Sequence, residues 1–257
     1  MRTNVAMFDG VFADLYDSTL GSRDIDIPFW VGHLSPHETV MEIGAGAGRL
    51  AWPLLEAGVQ YIGVEPAEAM LAIARRKLHD DHVEHADHAQ FIQGALPDFG
   101  WDGPAVDAVI LPYNVFNYLE GMDERARGLR TLAQLLNPGG LLVIDSLVVS
   151  MHPIDYRFQG TFQARDGRLI HRYRADSWDP INLRQISVLE YLVDGPGQPE
   201  RHTRILNTWQ ISDQEMTFLI REVGLELQAI YQDYTDTPYV GQPCQRQFVC
   251  QKPVRAH

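Results

Sequence analysis

Apolar residues fall into two patterns along this chain. Up to about Ser150, short and nearly unbroken apolar runs alternate with stretches of helical spacing. The runs are Thr39–Ile43, Gln60–Glu65, Gln90–Gln93, Val106–Pro112 and Leu141–Leu147. Predicted helices lie between them, over Gly48–Ala57, Ala67–Leu78 and Asp123–Leu136, the last stopped by Asn137-Pro138-Gly139-Gly140. Strands apolar on both faces and separated by helices imply a parallel sheet covered on both sides. Right-handed crossovers make that sheet doubly wound. Two short helices are expected ahead of it. Phe8, Val11, Phe12, Leu15 and Tyr16 recur at helical spacing before Gly21, and Ile25, Ile27, Phe29 and Trp30 lead up to Pro36.

Beyond Ser150 the period changes. Phe158–Ala164, Leu169–Ala175, Leu183–Val193 and His202–Gln210 are rich in β-branched and aromatic residues. Turn signals separate them: Asp166-Gly167, Asp179-Pro180 and Asp194-Gly195-Pro196-Gly197. They predict an antiparallel meander inserted into the domain or packed on it. Ser212-Asp213-Gln214-Glu215 then has the form of a capping box, with Gly224 as the stop. Leu225–Tyr234 and Gln245–Gln251 follow without a helix between them, which predicts a hairpin and an antiparallel edge. The expected organisation is one α/β domain over residues 1–257. It carries an N-terminal helical segment over 1–36 and a β-rich insertion over 151–210, the latter a lid or a homodimer contact.

Composition narrows the function more than the fold. Lys and Arg number 21 against 34 Asp and Glu, a net charge of −13, which disfavours binding to a phosphate backbone. No apolar run approaches the ~18 residues of a membrane span, and Met1-Arg2-Thr3-Asn4 lacks a signal-peptide core. The expectation is a cytoplasmic protein with a small-molecule partner and neither nucleic acid nor membrane. Two cysteines, Cys244 and Cys250, cannot form a disulfide framework and read as free thiols. The segment His79-Asp80-Asp81-His82-Val83-Glu84-His85-Ala86-Asp87-His88 has the composition of a metal site, but its place between helix and third strand reads as a solvated loop.

The strongest chemical signal is Glu42-Ile43-Gly44-Ala45-Gly46-Ala47-Gly48-Arg49, joining the first strand to the first helix. Glycines at alternate positions let the backbone approach a ligand closely, and the helix start behind them offers free N–H groups. Such a loop alone fits either S-adenosylmethionine (SAM) or a dinucleotide. The dinucleotide pattern wants its third glycine where Arg49 stands. Glu42 would repel a pyrophosphate and suits the cationic amino-acid end of SAM. Glu65, ending the second strand, is placed to accept hydrogen bonds from ribose hydroxyls, a feature that NAD enzymes share.

With these residues the chain resembles the class I SAM-dependent methyltransferases, in their small-molecule branch, from Tyr16 to about Lys252. Val40–Arg49 looks like the first motif of that family. Gly63-Val64-Glu65-Pro66-Ala67-Glu68-Ala69-Met70-Leu71 resembles its second-strand acid and following helix, and Leu135–Gly140 the turn before its fifth strand. The resemblance implies a Rossmann-like, seven-stranded sheet with SAM as cofactor. It implies cofactor contacts from Tyr16, Glu42, Gly44, Ala45, Gly46, Gly48, Arg49, Glu65, Pro66, Met70, Gly94, Ala95, Leu96 and Leu111. Tyr16 would belong to a lid. Two positions depart from the family pattern. Ala95 stands where an acid commonly meets adenine, leaving backbone groups near Ala95 and Leu96, or Asp98, for that contact. Ala67 replaces a small hydroxyl residue after Glu65.

Methyl transfer from a sulfonium needs orientation and exclusion of water, and a base only when the nucleophile must lose a proton. Ligands of open α/β sheets sit beyond the carboxyl ends of the strands. The acceptor site is therefore expected along Pro112–Tyr118 and Ser146–Asp155, and the family resemblance implies that the segment after strand four, with Tyr113 and Asn114, lies beside the methyl group. His152 is the candidate base, its ordinary pKa near ~6.5 suiting proton transfer; His171 and His202 are weaker choices. Trp178-Asp179-Pro180 reads as an acceptor lid, a subunit contact or plain sheet packing. The expected reaction is N- or O-methylation of a small molecule. The alternatives are a SAM-binding protein that does not methylate and a nicotinamide-dependent oxidoreductase.

Overall fold

The computed structural model describes residues 8–148 and 153–254. Helices α1 (Val11–Leu20) and α2 (Ile27–Leu34) come first, followed by β1 (Thr39–Ile43), α3 (Ala51–Glu56), β2 (Gln60–Glu65) and α4 (Glu68–Asp80). Next are β3 (Ala89–Gln93), β4 (Val106–Leu111), α5 (Gly121–Leu135) and β5 (Leu136–Leu147). Strands β6 (Ile154–Gln163), β7 (Leu169–Asp179), β8 (Arg184–Val193) and β9 (Glu200–Trp209) follow one another directly. Helix α6 (Asp213–Glu222) and strands β10 (Glu226–Gln232) and β11 (Gln245–Gln251) close the chain.

Seven strands form one sheet in the order β10-β11-β5-β4-β1-β2-β3. Strands β1 to β5 pair in parallel, while β11 runs antiparallel to β5 and to β10. The doubly wound sheet with its antiparallel hairpin is thus as expected. Its strand order reverses between β1 and β4, which opens a crevice at their carboxyl ends. Alternation along β1 sends Met41 and Ile43 into the core beneath α5 and α6, and Val40 into the core shared with α2 and α3. No described helix is long and apolar enough to cross a membrane.

Three local differences from the sequence-based expectation have physical causes. Helix α3 begins at Ala51 rather than Gly48, because Gly48 is left-handed (φ 81°) and cannot start a helical turn. Strand β5 begins five residues earlier, at Leu136. Its register with β4 skips from Val106↔Leu136 to Ala108↔Leu141, so Asn137–Gly140 loops out as an irregularity inside the strand. The meander strands extend beyond their apolar runs, because cross-strand pairing carries polar positions with it.

Strands β6 to β9 make a separate antiparallel sheet in sequence order. Along β8 burial alternates strictly, with Gln185, Ser187, Leu189, Tyr191 and Val193 on the inner face. The apolar end of this face, Ile170, Leu189, Tyr191 and Val193, packs on Leu15 and Phe12 of α1. Ala13 of α1 packs instead on Ala67, Met70 and Ile73 around α4. Helix α1 therefore ties the second sheet to the first, and the polar end of the inner face overhangs the crevice.

Candidate active site

The β1–α3 turn makes one wall of the site. Gly44 and Gly46 have φ of 79° and 55°, where a side chain would be strained. A Cβ on Gly44 would also lie 2.4 Å from the Val115 side chain, whereas Gly46 faces open space. Gly44 N and Ala45 N both donate to the Val64 carbonyl, at 2.8 and 3.0 Å, which fixes the path of the turn along the site. Glu65 is buried at the end of β2, where its two oxygens accept from Gly46 N and Ala67 N, each at 3.0 Å. Burial pushes its pKa up to about 7 against the pull of those two bonds. Glu42 is buried beside it and accepts from the Tyr61 hydroxyl at 2.6 Å. Burial raises its pKa to about 8, although Tyr61 and Arg49 oppose the shift. Arg49 reaches away from the turn, donating to both oxygens of the fully buried Asp26 at 2.7 Å and to the Arg23 carbonyl at 2.8 Å. That bidentate pair fastens the α1–α2 connection over the crevice.

A second wall comes from the segment after β4. Tyr113 and Asn114 are consecutive non-glycine residues with left-handed φ, 55° and 67°, a strain that surrounding structure must hold in place. Asp145 of β5 does much of this. Fully buried, it accepts from Tyr113 N (2.8 Å), the Tyr234 hydroxyl (2.8 Å) and the side-chain amides of Gln245 and Gln247 (3.0 Å each). Burial raises its pKa to about 6, with those donors holding it back. Asp233 and Tyr234, a second left-handed pair, hang on the same carboxylate through the Tyr234 hydroxyl. Arg23 donates to the Tyr113 hydroxyl at 3.2 Å and lies over its ring at 5.1 Å.

These walls enclose one cavity of about 560 Å³. Tyr16, Glu42, Gly44, Ala45, Gly46, Arg49, Glu65, Pro66, Met70, Gly94, Ala95 and Leu96 all line it, with Tyr113 and Asn114. Two residues expected at the cofactor are elsewhere. Gly48 is where a Cβ would crowd Trp52 and Phe91 at 3.0 and 3.2 Å, and Leu111 is wholly inside the hydrophobic core; neither lines the cavity. His152 lies outside the described residues. His171 turns away to Thr161 and Asp194, and His202 packs edge-on against Phe12. Asp98 is held by Arg127 at the surface, away from the cavity. His82 stacks on Trp52 and His88 bonds Gln60. Among the described residues no three metal-ligating side chains converge.

Sequence reasoning missed the third wall. Arg172 and Arg174 of β7, Gln185, Ser187 and Leu189 of β8, and Leu206, Thr208 and Trp209 at the end of β9 line the same cavity. Their signal is present in the alternation of β7 and β8, but only the pairing register shows which face turns inward. Of the segment expected after β5, only Leu147 is a lining residue among those described. Asp145 was also missed, being one polar residue in an otherwise apolar strand.

The fold and the site define a doubly wound α/β protein whose glycine-rich loop opens into a large cavity roofed by a second sheet. Residues 41–142 match the family described as Methyltransferase domain. The putative methyltransferase YqeM of Bacillus subtilis (strain 168) is 23% identical over 245 residues, covering 94% of this chain and 96% of the relative. Among solved structures, the CcbJ methyltransferase from Streptomyces caelestis superposes with a TM-score of 0.74 at 22% identity, covering 90% of each chain. The sugar N-methyltransferase KedS8 from Streptoalloteichus sp ATCC 53650 gives 0.73 at 22% identity, over 93% of this chain and 92% of that one. The chain therefore carries a methyltransferase domain over residues 41–142 and shares the fold of SAM-dependent methyltransferases.

Proposed function

We propose that the protein transfers the methyl group of SAM to an amine nitrogen of a small molecule held in the roofed half of the cavity. One observation carries this reading. The cofactor loop and the strained Tyr113–Asn114 corner open into a single chamber of about 560 Å³ beneath the second sheet. That volume lies within the range of small-ligand sites, roughly 300–1,000 Å³. The N-methyl specificity draws on the likeness to the sugar N-methyltransferase KedS8.

The cofactor end fits SAM on its own chemistry. Glu65 would accept from the ribose hydroxyls, Glu42 would meet the ammonium of the amino-acid end, and Gly94–Leu96 with Met70 would flank the base, all of them lining the cavity. SAM supplies a methyl group on a sulfonium whose departure as a thioether is already favourable. What remains for the protein is geometry. Tyr113 and Asn114, pinned by Asp145, set the direction from which the acceptor nitrogen approaches. Tyr16 on α1 and the four-stranded sheet close over the reacting atoms and exclude water. A neutral amine brings its own lone pair, so the proton it carries after alkylation can leave to solvent.

Incubation with methyl-labelled SAM and separate pools of amino sugars, amino acids and hydroxylated metabolites tests this reading. Label recovered on nitrogen of a small molecule is the expected result. Label on oxygen would overturn the amine assignment, and label only on polypeptide would overturn the small-molecule one.

A further inference from the structure

The inner face of the second sheet has a polar end that the cofactor does not need. Arg172 and Arg174 of β7 point from it into the cavity, next to Gln185, Ser187 and Thr208. Their positions follow from register: Arg172 pairs with Tyr191, Arg174 with Leu189 and Asp176 with Ser187, all on one face. Arg174 is already compensated, donating to Asp176 at 2.8 Å and to the Ser187 hydroxyl at 3.1 Å. Arg172 is not. It is only 7% exposed, its Nε has no hydrogen-bond partner, and it has no salt bridge among the described residues. Its contact with the Tyr191 phenol is to a neutral group.

An arginine stays charged at any working pH and offers a planar fork of donors matched to carboxylate and phosphate. Leaving such a group buried and unpaired is costly unless a ligand completes it. The wall has two cations, Arg172 and Arg174, against one anion, Asp176. The other charged side chains lining the cavity are Glu42 and Glu65 beside the glycine loop, with Arg49, Arg23 and Asp17, and Glu120 and Glu124 at the start of α5.

We infer that Arg172, backed by Arg174, binds an anionic group of the acceptor, a carboxylate or a phosphate, at the end of the molecule away from the methylated atom. This rests on the acceptor chamber assigned above. The anion fixes the acceptor lengthwise, so that its nucleophile meets the Tyr113–Asn114 corner. Acidic small molecules carrying an amine are therefore the substrate class.

The test uses the full chain saturated with S-adenosylhomocysteine, titrated calorimetrically with inorganic pyrophosphate and, separately, with succinate at low salt. One of the two is expected to bind saturably, which identifies phosphate or carboxylate as the recognised group. Arg172→Gln should weaken that binding by about tenfold or more, as expected for a lost charge-assisted pair. Arg168→Gln, at an exposed arginine paired with Asp166, should leave it unchanged. Affinity for S-adenosylhomocysteine should stay the same in all three proteins, a readout that a structural role for Arg172 would not preserve. If Arg172→Gln does not fold, Arg172→Lys and Arg174→Gln make the same comparison. Binding of neither anion, or equal binding by wild type and variant, overturns the inference. Failure of the wild type to bind S-adenosylhomocysteine would instead overturn the cofactor-site assignment.

Discussion

The two ends of the cavity are built in opposite ways. At the cofactor end the contacts come from backbone and from two buried acids within the β1–β2 unit, Glu42 to Glu65, a stretch of 24 residues. At the acceptor end they come from side chains on three antiparallel strands, spread from Arg172 to Trp209 and brought together by pairing register. The first end is specified by local turn chemistry, and substitution there acts directly on one ligand. The second is specified by alternation, where a shift of one residue would turn every inward side chain outward. One end can stay constant while the other changes its ligand.

The largest effect should come from breaking the cofactor end. Glu65→Ala removes both ribose acceptors and releases Gly46 N and Ala67 N. Affinity for S-adenosylhomocysteine should fall on the order of a hundredfold, from two hydrogen bonds to a charged group at roughly 1.5–3 kcal/mol each. Calorimetry measures this, and near-normal affinity would remove Glu65 from the site. Asp145→Asn should come next, because an amide presents a donor where four donors now converge. Turnover should drop by roughly tenfold or more through loss of the Tyr113–Asn114 geometry, while cofactor affinity changes by less than about twofold. Equal losses in both would mean that Asp145 is a general fold residue.

A smaller effect should appear with pH. Glu42 and Glu65 have pKa values raised to about 8 and about 7 from an ordinary 4.5, so each is protonated in the folded, cofactor-free protein over a range where the unfolded chain is ionised. Their contribution to apo stability is full below pH 4.5 and is lost as pH rises through about 7 and then about 8. The melting temperature of the apo protein should therefore decline across that window, and Glu42→Gln should remove its upper part. SAM affinity should rise over the same interval as the carboxylates ionise towards a cationic ligand. A flat profile in both measurements would contradict the assigned burial. The smallest effect belongs to Ser212→Ala. Ser212 Oγ accepts from Glu215 N at 3.0 Å, capping α6, and is not among the residues lining the cavity. Its loss should cost about 1 kcal/mol in denaturant unfolding, with cofactor affinity unchanged.

Legibility in the sequence followed the same division. Thr39–Ile43 and Gln60–Glu65 are apolar runs bounded by glycine or acid, and their strand limits agree with the structure residue for residue. The capping box at Ser212 likewise names its own geometry. Glu42, Glu65 and the glycine loop were readable because their spacing is local. Arg172 and Arg174 were not, because the sequence offers a polar alternation without saying which face is roofed. Asp145 was hidden for a related reason: its donors come from residues as distant as Tyr113 and Gln247. Gly48 and Leu111 show the converse, since neither lines the cavity. Both belong to the motif region by position, yet Leu111 points into the core and the absence of a Cβ at Gly48 makes room for Trp52 and Phe91.

Independence of the two ends is the centre of this account, and it is most directly tested by titrating S-adenosylhomocysteine into the wild type, Glu65→Ala and Arg172→Gln. The predicted result is equal affinity for wild type and Arg172→Gln, with binding by Glu65→Ala weaker on the order of a hundredfold. Equal binding by all three, or a loss in Arg172→Gln as large as that in Glu65→Ala, would contradict it.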